Sequence, residues 1–345
     1  MKNKKKLLFV SNSSPDRLNH ILDGFLSLKD LEIKVLDQNI TYRPSSLPSK
    51  IFKKLKIPRD FDNLNGRLLD MIKIYNPDII FIVKGNLIHA KVLAHISNTY
   101  PATKLVSWSL DDMFAWHNRS LFYTLGLKFY DFVFTSKSYN IDELKSLGAK
   151  TVIFLYQAFS QKYHKPYRLN ANLGQVIDIL FIGFAEKSRF EYLEYLASNN
   201  LKISVYGSGW NKKKYTKHHN NQEIHPYDLI GDDYARAISN AKITLCFLRK
   251  ANRDLHTSRS IEIPAIGGFM VAERTDEHKV LFEEDKEAVY FDSKEELLEK
   301  VMYYLKNESA REFIRSAGHR RCLEEDYSYD NMANIIMDEI DATVR

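Results

Sequence analysis

The chain alternates short apolar runs with longer stretches in which apolar residues recur every three or four positions, the signatures of buried strands and amphipathic helices. In the first half, strands are predicted over 7–11, 32–36, 78–83, 103–107, 132–135 and 151–154, with helices from about Asp16, over 61–75 and over 89–98. Runs such as Ile79-Ile80-Phe81-Ile82-Val83 offer no polar face. They suit a parallel sheet covered by helices on both sides.

Periodicity lapses between Tyr156 and Gln175, where Pro166, Asn170, Asn172 and Gly174 give the composition of a linker. A second series of strands is then predicted over 177–182, 202–206, 243–247, 269–272 and 288–291, followed by helices from about Ser293 to the C-terminus. The pattern reads as an α/β protein with two Rossmann-like parallel-sheet domains. The expected organisation is residues 1–160, a linker at 161–176, a second domain at 177–325 and a C-terminal helical segment at 326–345. Sheets of this kind bind ligands at the carboxyl ends of their strands, so a central cleft between the two domains is expected.

Composition narrows the class further. The 345 residues are 44% hydrophobic and 27% charged, an ordinary globular balance. No apolar run approaches the roughly 20 residues that span a bilayer. Cys246 and Cys322 are the only two cysteines and have no second Cys or His at ligand spacing, so neither a disulfide framework nor a metal site is expected. These features point to a reducing, cytoplasmic setting. The net charge of +6 is concentrated at 2–6, 50–56 and 212–217. Such patches either meet anionic lipid, giving peripheral contact at the inner membrane face, or are solvated surface. Nucleic acid is not expected as a partner, because basic and aromatic residues do not interleave.

The candidate chemistry lies at the predicted strand ends. Gly183 ends one strand and Arg189 follows at a helix start, an arrangement that lets a diphosphate approach the backbone or that makes a plain βα turn. Gly207-Ser208-Gly209-Trp210 ends the next, with an aromatic ring that can stack on a base or sugar. The segment from Arg253 to Val271 holds Asp254 and Glu262 eight positions apart, Arg259 between them, and Gly267-Gly268 before a buried strand. Glu262 can accept hydrogen bonds from ribose hydroxyls or simply pair with Arg259. In the first half, Trp108 and the pair Asp111-Asp112 follow a strand end, where a carboxylate can either take an acceptor proton or cap the next segment. Lys84, Asn86 and His89 follow another strand end, and His89 is also readable as a helix-start residue.

Together these residues resemble the CgeB-like glycosyltransferases, named for a spore maturation protein, and more distantly the glycosyl transferase group 1 superfamily. The resemblance is carried by Phe181-Ile182-Gly183, Tyr206-Gly207-Ser208-Gly209-Trp210, Arg259 to Gly268 and the helices after Ser293. It implies a GT-B fold, with a C-terminal helix over 329–343 crossing back onto the first domain. It also implies transfer of a sugar from a nucleotide-sugar, UDP- or dTDP-linked, to a hydroxyl of a saccharide, lipid-linked saccharide or protein, as in polysaccharide biosynthesis and cell surface glycans. No cofactor or metal is implied. Glu262 matches the acidic position that holds the donor ribose, and Asp254 falls where a sugar-contacting Glu stands in the superfamily. Phe184 replaces an Arg of the pattern, while Arg189 stands at a Lys position near the diphosphate, with Arg259 as a second cation. The acidic spacing is similar to that of retaining transferases. Two rival readings stay open on the same fold: a nucleotide-sugar epimerase or hydrolase, and a non-catalytic two-lobed module that binds a sugar or nucleotide.

Overall fold

Apolar runs that need no solvent face become the central strands of two parallel sheets. In the computed structural model, which describes residues 4–12, 20–38, 56–167, 177–212, 215 and 219–342, the first sheet has six strands. They are β1 (Lys5–Ser11), β2 (Leu31–Asp37), β3 (Ile79–Val83), β4 (Lys104–Ser109), β5 (Phe132–Thr135) and β6 (Val152–Phe154), in the order β2-β1-β3-β4-β5-β6. All its pairings are parallel, so each connection must cross over, and described helices such as Leu64–Tyr75, Ala90–Thr99 and Asn140–Ser146 supply crossovers. Alternation along β1 sends Leu8 and Val10 to one core with Leu68 and Ile72, while Phe9 stacks on Phe81 with ring centroids 5.4 Å apart. Phe25 meets Phe81 edge-on at 4.9 Å, a geometry that favours aromatic pairs beyond their buried area.

The second sheet comprises β7 (Ile177–Ile182), β8 (Ile203–Tyr206), β9 (Gln222–His225), β10 (Ala241–Cys246), β11 (Met270–Glu273) and β12 (Val289–Phe291), again all parallel, in the order β12-β11-β10-β7-β8-β9. Phe181, Val205, Leu245, Val271 and Phe291 pack there with Leu193, Leu196, Leu297 and Val301. The sequence pattern does not show β9. Its residues Gln222, Glu223, Ile224 and His225 contain a single apolar side chain, and it occupies the sheet edge, where one ladder face is open to water.

The chain divides into two compact units, residues 1–156 with 330–345 and residues 157–329. The second unit begins and ends on paired backbone: Phe159 N–H donates to Tyr327 O and Tyr329 N–H to Phe159 O, both at 2.9 Å. No helix among the described residues is long and apolar enough to cross a membrane. The expected helix start near Asp16, residues 168–176 of the expected linker and most of the basic stretches 50–56 and 212–217 lie outside the described residues. Residues 161–167, also read as linker, include the buried His164.

Candidate functional site

Parallel register brings Ile182 opposite Tyr206, so the loops that follow β7 and β8 leave the second sheet side by side. Gly183 N–H donates to Tyr206 O at 2.8 Å. Gly207 has φ +140°, and a Cβ there would lie 2.2 Å from Gly183 O, so this crossing of two backbones requires glycine. Ser208 is held by Asp228, which accepts from its N–H at 3.0 Å and its hydroxyl at 2.8 Å. Trp210 corrects the sequence reading. Its ring is buried against Phe181 and Tyr215 and its indole N–H donates to Gly183 O at 2.8 Å, so it supports the loop from below and cannot stack on a ligand.

Arg189 is likewise placed beneath the loop. Its guanidinium donates to Phe184 O at 2.9 Å and Phe247 O at 3.1 Å, and burial lowers its pKa. Those two bonds brace the loop after β7 and the end of β10, and beyond them its charge acts as a field. The cation of the neighbouring segment is differently placed. Arg259 lies on helix Ser258–Ala265, and its Nε is shielded from solvent without a hydrogen-bond partner among the described residues. Burial opposes its charge, but Tyr234, Glu262, Cys246 and Asp228 around it raise its pKa overall.

Glu262 stands one turn further along that helix. Its Oε2 accepts from the Tyr234 hydroxyl at 2.7 Å and its Oε1 lies 4.0 Å from His164 Nε2. Asp254 sits in the preceding loop, where Oδ2 accepts from Arg249 N–H at 3.3 Å, so the two acids do not share a helix face. Tyr234 and His164 were not singled out from the sequence. Tyr234 had only its place on the apolar face of helix Gly231–Ser239, with Ala235 and Ile238, as a signal, and His164 fell in the expected linker.

The N-terminus of helix Ser258–Ala265 is fixed by a buried polar chain. Thr257 N–H donates to Ser260 Oγ at 3.0 Å, Ser260 Oγ lies 2.7 Å from His278 Nε2, and His278 Nδ1 lies 2.6 Å from Glu273 O. A carbonyl only accepts, so the proton sits on Nδ1 and the serine hydroxyl donates to Nε2. His256, also buried, accepts Gln157 N–H at 3.1 Å on Nε2 and turns Nδ1 to Glu277. At the other end, Gly267 N–H donates to Pro264 O at 2.8 Å and Gly268 N–H to Ile263 O at 2.9 Å, with Gly267 at φ +77°. This is a Schellman termination. A Cβ on Gly268 would come 2.6 Å from Ile238 Cγ2. The glycine pair therefore ends the helix and packs it, which replaces the expected donor contact.

The first unit sorts its candidates in the same way. Asp112 is fully buried and its Oδ1 accepts from Phe114 N–H and Ala115 N–H, each at 3.1 Å, and from Asn140 Nδ2 at 2.9 Å. It caps the turn, so the proton-accepting role considered for it is withdrawn. Asp111, partly exposed, forms an ion pair with Lys84, a residue held at φ +62°. Asn86 is a latch, accepting Ser120 N–H at 2.8 Å and donating to Asn118 O at 2.9 Å. His89 precedes helix Ala90–Thr99, its N–H bound to Asn65 Oδ1 at 2.8 Å and its ring 4.3 Å from that of Phe122. Trp108 belongs to β4 and is buried near Phe81, which removes it as an acceptor contact. Among the described residues, no three His, Cys, Asp or Glu side chains gather as a metal site.

Two six-stranded parallel sheets with helices are the GT-B architecture, and solved structures share it along nearly the whole chain. Sucrose-phosphate synthase from Thermosynechococcus elongatus has a TM-score of 0.69 at 10% identity, covering 99% of each chain. Anabaena HepE in complex with UDP-glucose has 0.64 at 12%, covering 98% of this chain and 99% of the other. A Listeria monocytogenes protein described as a UDP-N-acetylglucosamine 2-epimerase has 0.56 at 14%, covering 99% and 97%. Residues 189–338 match the family model described as Glycosyl transferase-like, and no curated protein matches the sequence. The chain has the GT-B fold, and its residues 189–338 are similar to the glycosyl transferase-like family.

Proposed function

We propose that the donor, a nucleoside-diphosphate sugar carrying UDP or dTDP, is held in the second unit with Glu262 on its ribose. The observation that carries this reading is the pairing on one helix of a carboxylate with an open oxygen and a cation without a hydrogen-bond partner at Nε, three residues apart. Glu262 accepts from the ribose hydroxyls. Arg259 and the positive end of its helix meet the diphosphate, while the crossing of Gly183 and Gly207 lets phosphate approach the backbone. Ser208 and Asp254 line the same loops, with Asp254 toward the sugar.

In the transfer, an acceptor hydroxyl oxygen bonds to the anomeric carbon as the bond from that carbon to the diphosphate breaks. The acceptor proton passes to Asp111 or to a donor phosphate oxygen, and the nucleoside diphosphate leaves. The leaving group is already activated, so the reaction asks for no cofactor, and the developing diphosphate charge is met by Arg259, the helix start and the field of Arg189. The spacing of Asp254 and Glu262 favours retention at the anomeric carbon. The acceptor class is a saccharide, lipid-linked saccharide or protein hydroxyl, with a cytoplasmic CgeB-like subtype and basic stretches that meet the membrane surface.

A thermal-shift screen of UDP, dTDP, GDP, ADP and CMP with their sugar conjugates tests the reading, since a ligand of the folded state raises its melting temperature. One nucleotide should stabilise selectively, and Glu262→Ala should abolish that shift without unfolding the protein. An unaltered shift in that variant would reject the ribose role. Donor consumed equally well without any acceptor would instead favour an epimerase or hydrolase.

A further inference from the structure

Glu262 does not stand alone. Its side chain is nearly buried, and a glutamate carboxyl has a broad terminal torsion that must be fixed before its two oxygens become distinguishable to a ligand. Tyr234, from helix Gly231–Ser239, donates its hydroxyl to Oε2 at 2.7 Å. Burial, then the neighbouring Glu262, raises the Tyr234 pKa well above its ordinary value, so the hydroxyl remains a donor. On the other side, His164 Nδ1 accepts Ser160 N–H at 3.0 Å, which puts the proton of the neutral ring on Nε2. That nitrogen is 4.0 Å from Oε1, beyond direct hydrogen-bond reach. One oxygen is thus committed to a phenol, and the other keeps acceptor capacity.

We propose that Tyr234 is a positioning residue for the donor: by occupying Oε2 it sets the rotation of the Glu262 carboxylate so that Oε1 is the edge presented to the ribose hydroxyls. The inference rests on the assignment of Glu262 to the ribose and takes the donor nucleotide to be UDP, whose ribose keeps the 2′-hydroxyl that dTDP lacks. Its physical basis is preorganisation. A tyrosine fixed by packing orders the carboxylate before the ligand arrives, so the ordering is not charged against binding. His164 limits the same carboxylate from the far side, with Nε2 4.0 Å from Oε1.

The test is the preference of the intact protein for UDP over 2′-deoxy-UDP and 3′-deoxy-UDP, measured by calorimetry in wild type, Tyr234→Phe and Glu262→Ala. Wild type should prefer UDP, and Tyr234→Phe should lose about threefold to tenfold of that preference, chiefly through weaker UDP binding. Because the preference is a ratio within one variant, it does not depend on how much of the variant is folded. Should the phenylalanine variant not fold at all, Tyr234→His, whose ring can still donate, is read in the same way and should retain an intermediate preference. Equal weakening for all three nucleotides in the tyrosine variants would overturn the positioning role and leave Tyr234 as packing. If Glu262→Ala abolishes the preference and Tyr234→Phe keeps it, only the role of Tyr234 fails. If Glu262→Ala keeps it, or wild type binds UDP no better than its deoxy forms or not at all, the ribose assignment itself fails.

Discussion

Asp111 and Asp112 are adjacent and chemically identical, yet their surroundings give them opposite work. Asp112 satisfies two backbone amides and the Asn140 side chain in a fully buried turn, so Asp112→Ala should cost about 2–3 kcal/mol of stability by leaving those donors unpaired. Asp111 is partly exposed beside Lys84, and Asp111→Asn should leave stability within about 0.5 kcal/mol; turnover should fall by about a hundredfold if Asp111 takes the acceptor proton and stay near wild type if a donor phosphate oxygen does. Urea unfolding and initial-rate measurements on the two variants check the split. A sequence shows that acids are present at a strand end but not which one the turn consumes. The same holds for Trp210, whose aromatic character was legible while its burial under Gly183 depended on Phe181 and Tyr215 closing around it.

At the scale of elements, helix Ser258–Ala265 combines what was legible with what was not. Arg259, Glu262 and the glycine pair stand out because their types and spacing are local properties. Tyr234, His164 and His278 do not, because they reach this helix from other elements. The edge strand β9 escaped notice for a related reason: a polar edge needs no apolar pattern, whereas the eight inner strands of the two sheets are selected by burial. His278 gives the helix start a measurable pH dependence. Burial lowers its pKa to about 4, against 6.5 for a free ring. Between those values the unfolded chain binds a proton that the fold refuses, so stability rises with pH, is complete above 6.5 and is lost as pH falls toward 4. The shift corresponds to about 3 kcal/mol, to which the lowered pKa of His164 adds in the same direction. Denaturant titrations from pH 8 to pH 4 should show this slope, and His278→Gln should flatten it while reducing stability at pH 8.

For the whole molecule, the first unit is assembled from both ends of the chain. Helix Tyr329–Ala342 buries Met332, Ala333, Ile336, Met337 and Ile340, and Asp341 at its end pairs with Lys5 at the start of β1. Burial of such side chains contributes about 1.5–3 kcal/mol each, so a chain stopped after Tyr329 should lower the melting temperature and expose the first unit to proteolysis, with cleavage mapped by mass spectrometry. The two-sheet layout itself was legible, because parallel strands demand crossovers and the alternation of apolar runs with helical periods records them. The discontinuity of the first unit has a further consequence. Residues 157–329 are topologically a guest within a host, and the guest enters and leaves on neighbouring backbone, where Phe159 pairs with Tyr327 and Tyr329. Ends held that close are the geometry from which domain insertion proceeds. The second unit is in effect a cassette, joined to its host through two adjacent splice points, so one compact unit can be exchanged there while the host framework stays as it is.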